Sequence, residues 1–196
     1  MHKLQPVVFL DRDGTLNEEV GYITEIRNLK LVQGAGISIK KLNQAGVAAV
    51  LVTNQTGAAR GYYPEEHILN LNKRLEELLS AEGAHLDAVY YCPHYNGGKV
   101  APYNIDCKCR KPEVGMVEQA YSEHSSFDKT RSYVVGDKAT DVELAQNCGA
   151  RGILLRTGYG ERVISGEYQW QVEPDYTAND ICDAIDWILQ DLKVKA

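Results

Sequence analysis

Short apolar runs of strand length alternate along this chain with longer stretches in which leucine or isoleucine recurs every three or four residues, and few folds accept that alternation. The runs are Val7 to Leu10, Val47 to Val52, Ala88 to Tyr91, Tyr133 to Val135 and Gly152 to Leu155, rich in Val, Leu and aromatics and bounded by turn residues. The helical stretches are Ile37 to Gln44, Pro64 to Ala81, Gly115 to Glu123, Thr140 to Cys148 and Asp180 to Leu192, with Asn179 as the expected cap of the last. Strands that alternate with helices predict an α/β fold, a three-layer Rossmann-like domain around a mostly parallel central sheet. With 196 residues, 44% of them apolar, the chain can bury one substantial core, so one domain over residues 1–196 is expected.

Composition narrows the partners. The apolar run near the start, Val7 to Leu10, is far too short for a signal-peptide core or a membrane span, so a cytoplasmic protein with no membrane partner is expected. A formal charge of −6 disfavours nucleic acid, whose affinity rests on clustered Lys and Arg. The expected partner is a small anion held locally by a monomer.

The chemistry begins directly after the first run. Val7-Val8-Phe9-Leu10-Asp11-Arg12-Asp13-Gly14-Thr15-Leu16 sets two acids beyond a buried strand, where open parallel sheets bind ligands at a topological switch point. Residues two apart on extended backbone project to the same side, and Gly14 lets the chain turn away. One such carboxylate can attack phosphorus while its neighbour gives a proton to the leaving alcohol. An Asp-x-Asp triplet on its own reads equally as an acidic surface turn.

Further matches decide against that. Asp11-Arg12-Asp13-Gly14-Thr15 resembles the first motif of the haloacid dehalogenase superfamily of phosphatases. Leu51-Val52-Thr53-Asn54-Gln55 resembles the second, Arg110-Lys111-Pro112 the third, and Val135-Gly136-Asp137-Lys138-Ala139-Thr140-Asp141 the fourth. The resemblance implies an aspartyl-phosphate intermediate on Asp11, with Asp13 as acid and base. It implies that Thr53 and Lys111 hold the transferred phosphate, and that magnesium is bound by Asp11, the main-chain carbonyl of Asp13, and Asp137. Substrate contacts are implied at Glu19, Val20, Gly21 and Tyr22, at Thr53, Asn54, Gln55 and Thr56, and at Arg110, Lys111 and Lys138. Phosphoryl transfer asks for such a set on physical grounds: an in-line nucleophile, a cation and fixed donors around the equatorial oxygens. Read alone, Asp137 could instead cap the helix that begins near Lys138, Arg110 and Lys111 could be solvated charges, and Asp141 is better suited to orienting a neighbour than to touching metal.

The stretch from Cys92 to Arg110 resists assignment to strand or helix. Cys92-Pro93-His94, twelve further residues, and Cys107-Lys108-Cys109 supply three thiolates and an imidazole, the ligands that close a tetrahedral structural zinc site. Three buried free thiols is the bland alternative, and it gathers reactive sulfurs for no packing gain. Cys148 and Cys182 read as core residues. His2, His67, His85 and His124 have no partner spacing and receive no role.

Within the superfamily, a Cys-x-His…Cys-x-Cys loop just before the Arg-Lys motif resembles that of a capless subgroup whose members act on a sugar bisphosphate or on histidinol phosphate. The activity so implied is removal of the 7-phosphate of D-glycero-D-manno-heptose 1,7-bisphosphate. The segments Asn17 to Gln33 and Gly57 to Cys109 have no room for a separate lid. Arg110 and Lys138 are the expected cations for the second phosphate. The resemblance runs from Val7 to Thr157, and Gly158 to Val172 carries no recognised motif. Histidinol-phosphate phosphatase, from the same subgroup, is the competing enzyme, and a noncatalytic zinc-pinned binding module the competitor from another class. A nucleotide-binding oxidoreductase would lean on Gly34-Ala35-Gly36, but no third glycine follows and no strand closely precedes.

Overall fold

The computed structural model describes residues 4–167 and 171–194. His2 and part of the motif-free Gly158 to Val172 stretch lie outside the described residues. The elements run β1 (Gln5–Leu10), α1 (Ala35–Gln44), β2 (Ala48–Asn54), α2 (Gly57–Arg60), α3 (Glu65–Ala81), β3 (Ala88–Cys92), α4 (Gly115–Glu123), β4 (Phe127–Gly136), α5 (Ala139–Cys148), β5 (Arg151–Leu155), α6 (Gly160–Ile164), β6 (Tyr176–Ala178) and α7 (Ile181–Val194).

The six strands form one sheet in the order β3-β2-β1-β4-β5-β6. Every pairing is parallel. A strand in such a sheet is covered on both faces, which is why it reads as an unbroken apolar run. In β1, Val8 and Leu10 pack into the core on one face while Val7 and Phe9 pack into the core on the other. In β2, Ala49 and Leu51 alternate with Ala48, Val50 and Val52 in the same way. Helices α1, α3 and α7 cover the first face through residues such as Ile39, Leu75 and Ile185. Helices α4 and α5 cover the second through Met116, Val117 and Leu144. The result is the three-layer α/β architecture read from the alternation, with no separate lid domain among the described residues. The chain order along the sheet reverses between β1 and β4, so the crevice at their carboxyl ends is the natural ligand site.

Three short elements escaped the sequence reading: α2, α6 and β6. Four residues of Gly-Ala-Ala-Arg, five of α6, and a three-residue strand are too short to show a period. β4 also starts earlier than its apolar run because Asp128, Lys129, Thr130 and Arg131 hide its first half. The expected cap of the last helix shifts by one residue. Asp180, not Asn179, accepts the first helical bond, from the Ala184 N–H at 3.1 Å. Its Oδ1 accepts the Asp183 N–H at 2.9 Å. Asp183 in turn reaches back to the Asn179 N–H at 2.8 Å, so Asn179 is bound by the cap rather than forming it. No helix among the described residues is long and apolar enough to cross a membrane.

Candidate active site

Asp11 follows the last residue of β1 and is tied into the sheet by its N–H, which donates to Val135 O at 2.9 Å. Its carboxylate faces two lysines: Lys111 Nζ lies 3.0 Å from Oδ1 and Lys138 Nζ 3.5 Å from Oδ2. Burial opposes ionisation of Asp11, but the two ammonium groups outweigh it and hold the carboxyl well below the ordinary range. A group in this setting is an anion at neutral pH.

Lys111 comes from the far end of the irregular loop, yet it is buried beneath the sheet end. Its Nζ donates to Val52 O at 2.8 Å and lies 2.6 Å from Asp141 Oδ1. Burial works against its charge, and Asp11 and Asp141 more than restore it, so its pKa is raised. Its backbone is held by Asn54, which accepts the Lys111 N–H at 3.0 Å and donates to the Lys111 carbonyl at 3.1 Å.

Asp137, at the end of β4, is fully buried. Burial raises its pKa to about 7 against the pull of Lys138, with Asp11 and Asp141 adding repulsion. Its Oδ2 accepts the Tyr159 N–H at 2.8 Å. The cap reading for Asp137 does not survive: Lys138 is the cap residue of α5, and its N–H is held by Asp141 Oδ2 at 3.1 Å. Asp141 has the orienting contacts expected of it, to the Lys111 ammonium and the Lys138 N–H. It is buried and stands with Asp11 and Asp137 in a group whose carboxylate oxygens lie within 4.8 Å of one another.

This group suits a hard cation. Three buried carboxylates meet two ammonium groups, leaving negative charge over, and oxygen donors are what magnesium takes. The Lys138 ammonium itself lies among the three oxygens expected for magnesium, at 3.5 Å from Asp11 Oδ2, 3.5 Å from Asp13 O and 3.2 Å from Asp137 Oδ1. Close backbone packing completes the cradle. Gly14 has φ +81° and Gly158 φ +55°, and a Cβ at either would collide with the Asp137 carboxylate.

The Asp13 carboxylate turns to a separate network. It accepts Gln55 Nε2 at 2.7 Å, Asn17 Nδ2 at 3.0 Å and the Arg12 guanidinium at 3.1 Å. Arg12, 2% exposed, also donates to Gln55 Oε1 at 2.8 Å and to Asn72 Oδ1 on α3 at 3.1 Å. Neither Arg12 nor Asn72 was singled out in sequence, though a polar residue on the stripe Ile68, Leu71, Asn72, Leu75, Leu79 is a signal.

The remaining expected residues gather unevenly. Glu19, Gly21, Tyr22, Asn54, Gln55, Thr56 and Lys138 line one cavity with Asp13, together with Tyr63 and Tyr159. Tyr22 meets Thr56 through their hydroxyls at 3.0 Å, and Thr53 is buried beneath, accepting Gln55 Nε2 at 3.0 Å. Val20 is exposed on the same turn. Arg110 lies elsewhere, lining a neighbouring depression with Tyr95 and Lys111. Arg110 and Lys138, the cations expected for a second phosphate, line different cavities, and Lys138 is surrounded by Asp11, Asp137 and Glu19. The Thr157–Tyr159 turn, where the sequence resemblance faded, touches the site directly. Thr157 Oγ1 donates to Gly14 O at 2.7 Å, and Tyr159 holds Asp137.

A second cluster lies beside β3. Cys92, His94, Cys107 and Cys109 bring their ligand atoms together, with sulfur separations of 3.1, 3.3 and 3.5 Å and His94 Nδ1 3.3 Å from Cys109 Sγ. Ligands held about 2.3 Å from a tetrahedral centre would be about 3.8 Å apart, so the cluster is close to a zinc cage. Contact between Cys92 and Cys109 lowers the Cys109 thiol and pushes the Cys92 thiol up, so one proton is shared between a pair of sulfurs.

A HAD-hydrolase-like family model matches residues 108–184. The chain is 49% identical over 188 residues to the D-glycero-D-manno-heptose-1,7-bisphosphate 7-phosphatase of Thermosynechococcus vestitus, covering 94% of this chain and 95% of that one. It belongs to the haloacid dehalogenase-like hydrolases. Within that family, the D-glycero-beta-D-manno-heptose-1,7-bisphosphate 7-phosphatase of Escherichia coli is 37% identical over 98% of this chain and 92% of its own. The crystal structure of D,D-heptose 1,7-bisphosphate phosphatase from B. bronchiseptica, complexed with magnesium and phosphate, superposes with a TM-score of 0.83 at 26% identity, covering 95% of this chain and 99% of that one. The motif reading thus assigned the chain to the right hydrolase family.

Proposed function

We propose that the chain hydrolyses the 7-phosphate of D-glycero-D-manno-heptose 1,7-bisphosphate, with Mg2+ as cofactor and Asp11 as nucleophile. The observation that carries this reading is identity of 49% across 94% of the chain to an enzyme bearing that name. The buried Asp11, Lys111 and Asp137 supply the chemistry it needs.

On this reading the Asp11 carboxylate attacks phosphorus, the bond between phosphorus and the sugar oxygen breaks, and Asp13 gives its proton to the departing oxygen. Asp13 then takes a proton from the water that opens the phosphoaspartate, returning Asp11 as a carboxylate and releasing inorganic phosphate. Lys111 and the Thr53 hydroxyl meet the charge on the transferring group, and Asn54 fixes the Lys111 backbone. Asp11, the Asp13 carbonyl and Asp137 would hold Mg2+, which would supply Lewis-acid neutralisation of the phosphoryl oxygens. Gln55 and Asn17 aim the Asp13 carboxylate. Glu19, Val20, Gly21, Tyr22 and Thr56 enclose the sugar from one side, and Arg110 meets it from the other. Lys138 orients Glu19 and offsets the acids rather than taking the second phosphate.

Cys92, His94, Cys107 and Cys109 would hold Zn2+ as a structural ion, since four protein ligands leave no open position. Five unpaired cysteines suit a reducing cytoplasm, and continuous cores on both faces of one sheet suit a single-domain monomer. Phosphate release is to be compared across the heptose bisphosphate, sugar monophosphates and histidinol phosphate with Mg2+ present. The bisphosphate is expected to show the highest kcat/KM, and faster turnover of histidinol phosphate would overturn the assignment.

A further inference from the structure

Tyr95, one residue beyond His94 in the loop, carries two cations on its ring. The Arg60 guanidinium carbon lies 4.3 Å from the ring centroid and that of Arg110 lies 5.4 Å away. Arg60 ends α2 and Arg110 ends the loop, so two separate segments converge on one aromatic side chain. Among the described residues, neither guanidinium has a carboxylate within 4 Å, whereas Arg12, Arg131, Arg151, Arg156 and Arg162 all have one. Two like charges gathered without an acid repel each other, and an anion between or beside them relieves that repulsion.

The arrangement is braced. Lys99 and Val100 N–H groups both donate to Ala59 O, at 2.7 and 3.1 Å, docking the loop on α2 next to Arg60. Arg110 donates to His94 O at 3.3 Å. Tyr103, farther along the loop, donates to Glu65 on α3 at 2.8 Å. The pair also adjoins the reaction centre on both sides. Arg60 Nε donates to Thr56 Oγ1 at 3.4 Å, and Thr56 lines the cavity that holds Asp13. Arg110 directly precedes Lys111, whose ammonium is 3.0 Å from Asp11.

We infer that Arg60, Tyr95 and Arg110 form the subsite for the second phosphate of a sugar bisphosphate, with Arg60 as a specificity-determining residue. This rests on the proposed bisphosphate activity and assigns its distal anion to two guanidiniums from different segments. Guanidinium suits that role because its planar fork meets phosphate oxygens in pairs. A monophosphate lacking the distal group would use Asp11, Asp13 and Lys111 without engaging Arg60.

The test is a ratio. For Arg60→Ala, kcat/KM on the heptose bisphosphate is expected to fall about 10- to 100-fold further than on the heptose 7-phosphate, the loss of one charge-assisted contact. Arg60→Lys should recover part of the ratio because it keeps the charge, and Tyr95→Leu should lower it through lost positioning. Circular dichroism and the thermal midpoint establish that each variant is folded, and Arg60→Gln carries the same reading if the alanine variant does not fold. Equal losses on both substrates would make Arg60 a support for Thr56 and overturn the subsite. Wild-type protein that does not prefer the bisphosphate would remove the proposed function itself. A preserved wild-type preference with an unchanged ratio in Arg60→Ala removes the subsite alone.

Discussion

The protein carries two polar clusters at the same end of its sheet, built in opposite ways. The carboxylate and lysine group draws Asp11 from the end of β1, Lys111 from a loop, and Asp137 and Asp141 from the end of β4 and the start of α5. Its members are buried, and its acids meet their lysine only because three separate segments arrive together. The cysteine and histidine group takes all its members from one eighteen-residue stretch, Cys92 to Cys109, beside β3. The first is a product of the fold and keeps room for a reacting group. The second closes on itself and organises a segment that has no strand or helix to hold it. The fold thus separates the two tasks, leaving the carboxylate site to the sheet and the irregular loop to a compact cluster of sulfur and imidazole groups.

That contrast can be broken most sharply at Asp11. Asp11→Asn should reduce turnover to background and abolish an acid-stable, base-labile phosphoprotein, while the loop keeps its hydrogen-exchange protection. Residual phosphoprotein in the variant would place the nucleophile elsewhere. Metal removal probes the other side. Stripping zinc should cost on the order of 10 kcal/mol at the loop if it behaves like peptide zinc sites. Amides from 92 to 110 should then exchange freely while β1, β2 and β4 stay protected. A stripped protein whose loop remains protected would show that packing, rather than the ion, holds it.

Lys111→Met should be felt in both regions. It takes the paired ammonium from buried Asp141 and leaves Asp11 with Lys138 alone, so a loss of about 3–5 kcal/mol is expected in denaturant unfolding, along with loss of activity. A stability loss without an activity loss would separate its structural and chemical roles. The smallest effect belongs to a residue near neither cluster. Asp180→Ala at the cap of α7 should cost about 1 kcal/mol and leave turnover unaltered.

How much of this was legible beforehand follows from what each feature depends on. The five main strands and five main helices were visible because burial on both faces, or on one helical stripe, writes its period into consecutive residues. The acids at Asp11 and Asp137 stood out because strand ends are where such sheets expose chemistry. Asp141 was harder. Its importance comes from lying 2.6 Å from an ammonium thirty positions earlier in the chain, and nothing local marks that meeting. Arg12 and Asn72 were passed over for the same reason, being sixty residues apart in sequence and 3.1 Å apart in space. The Thr157–Tyr159 turn looked empty because its work is done by a single hydroxyl, a glycine and the Tyr159 backbone N–H, a set that forms no recognisable motif.

By itself, then, the order of residues determined the layered architecture, the place of Asp11 at a strand end and the spacing of the cysteine and histidine cluster, because periodicity and short spacing are local properties of a chain. Tertiary structure decided which charges share a partner: Lys138 with the acids instead of Arg110, and Arg110 with Arg60 across Tyr95. Those pairings depend on the lateral order of strands and the docking of loops upon them. Coulomb energy depends on distance in space, and distance along the chain does not set it.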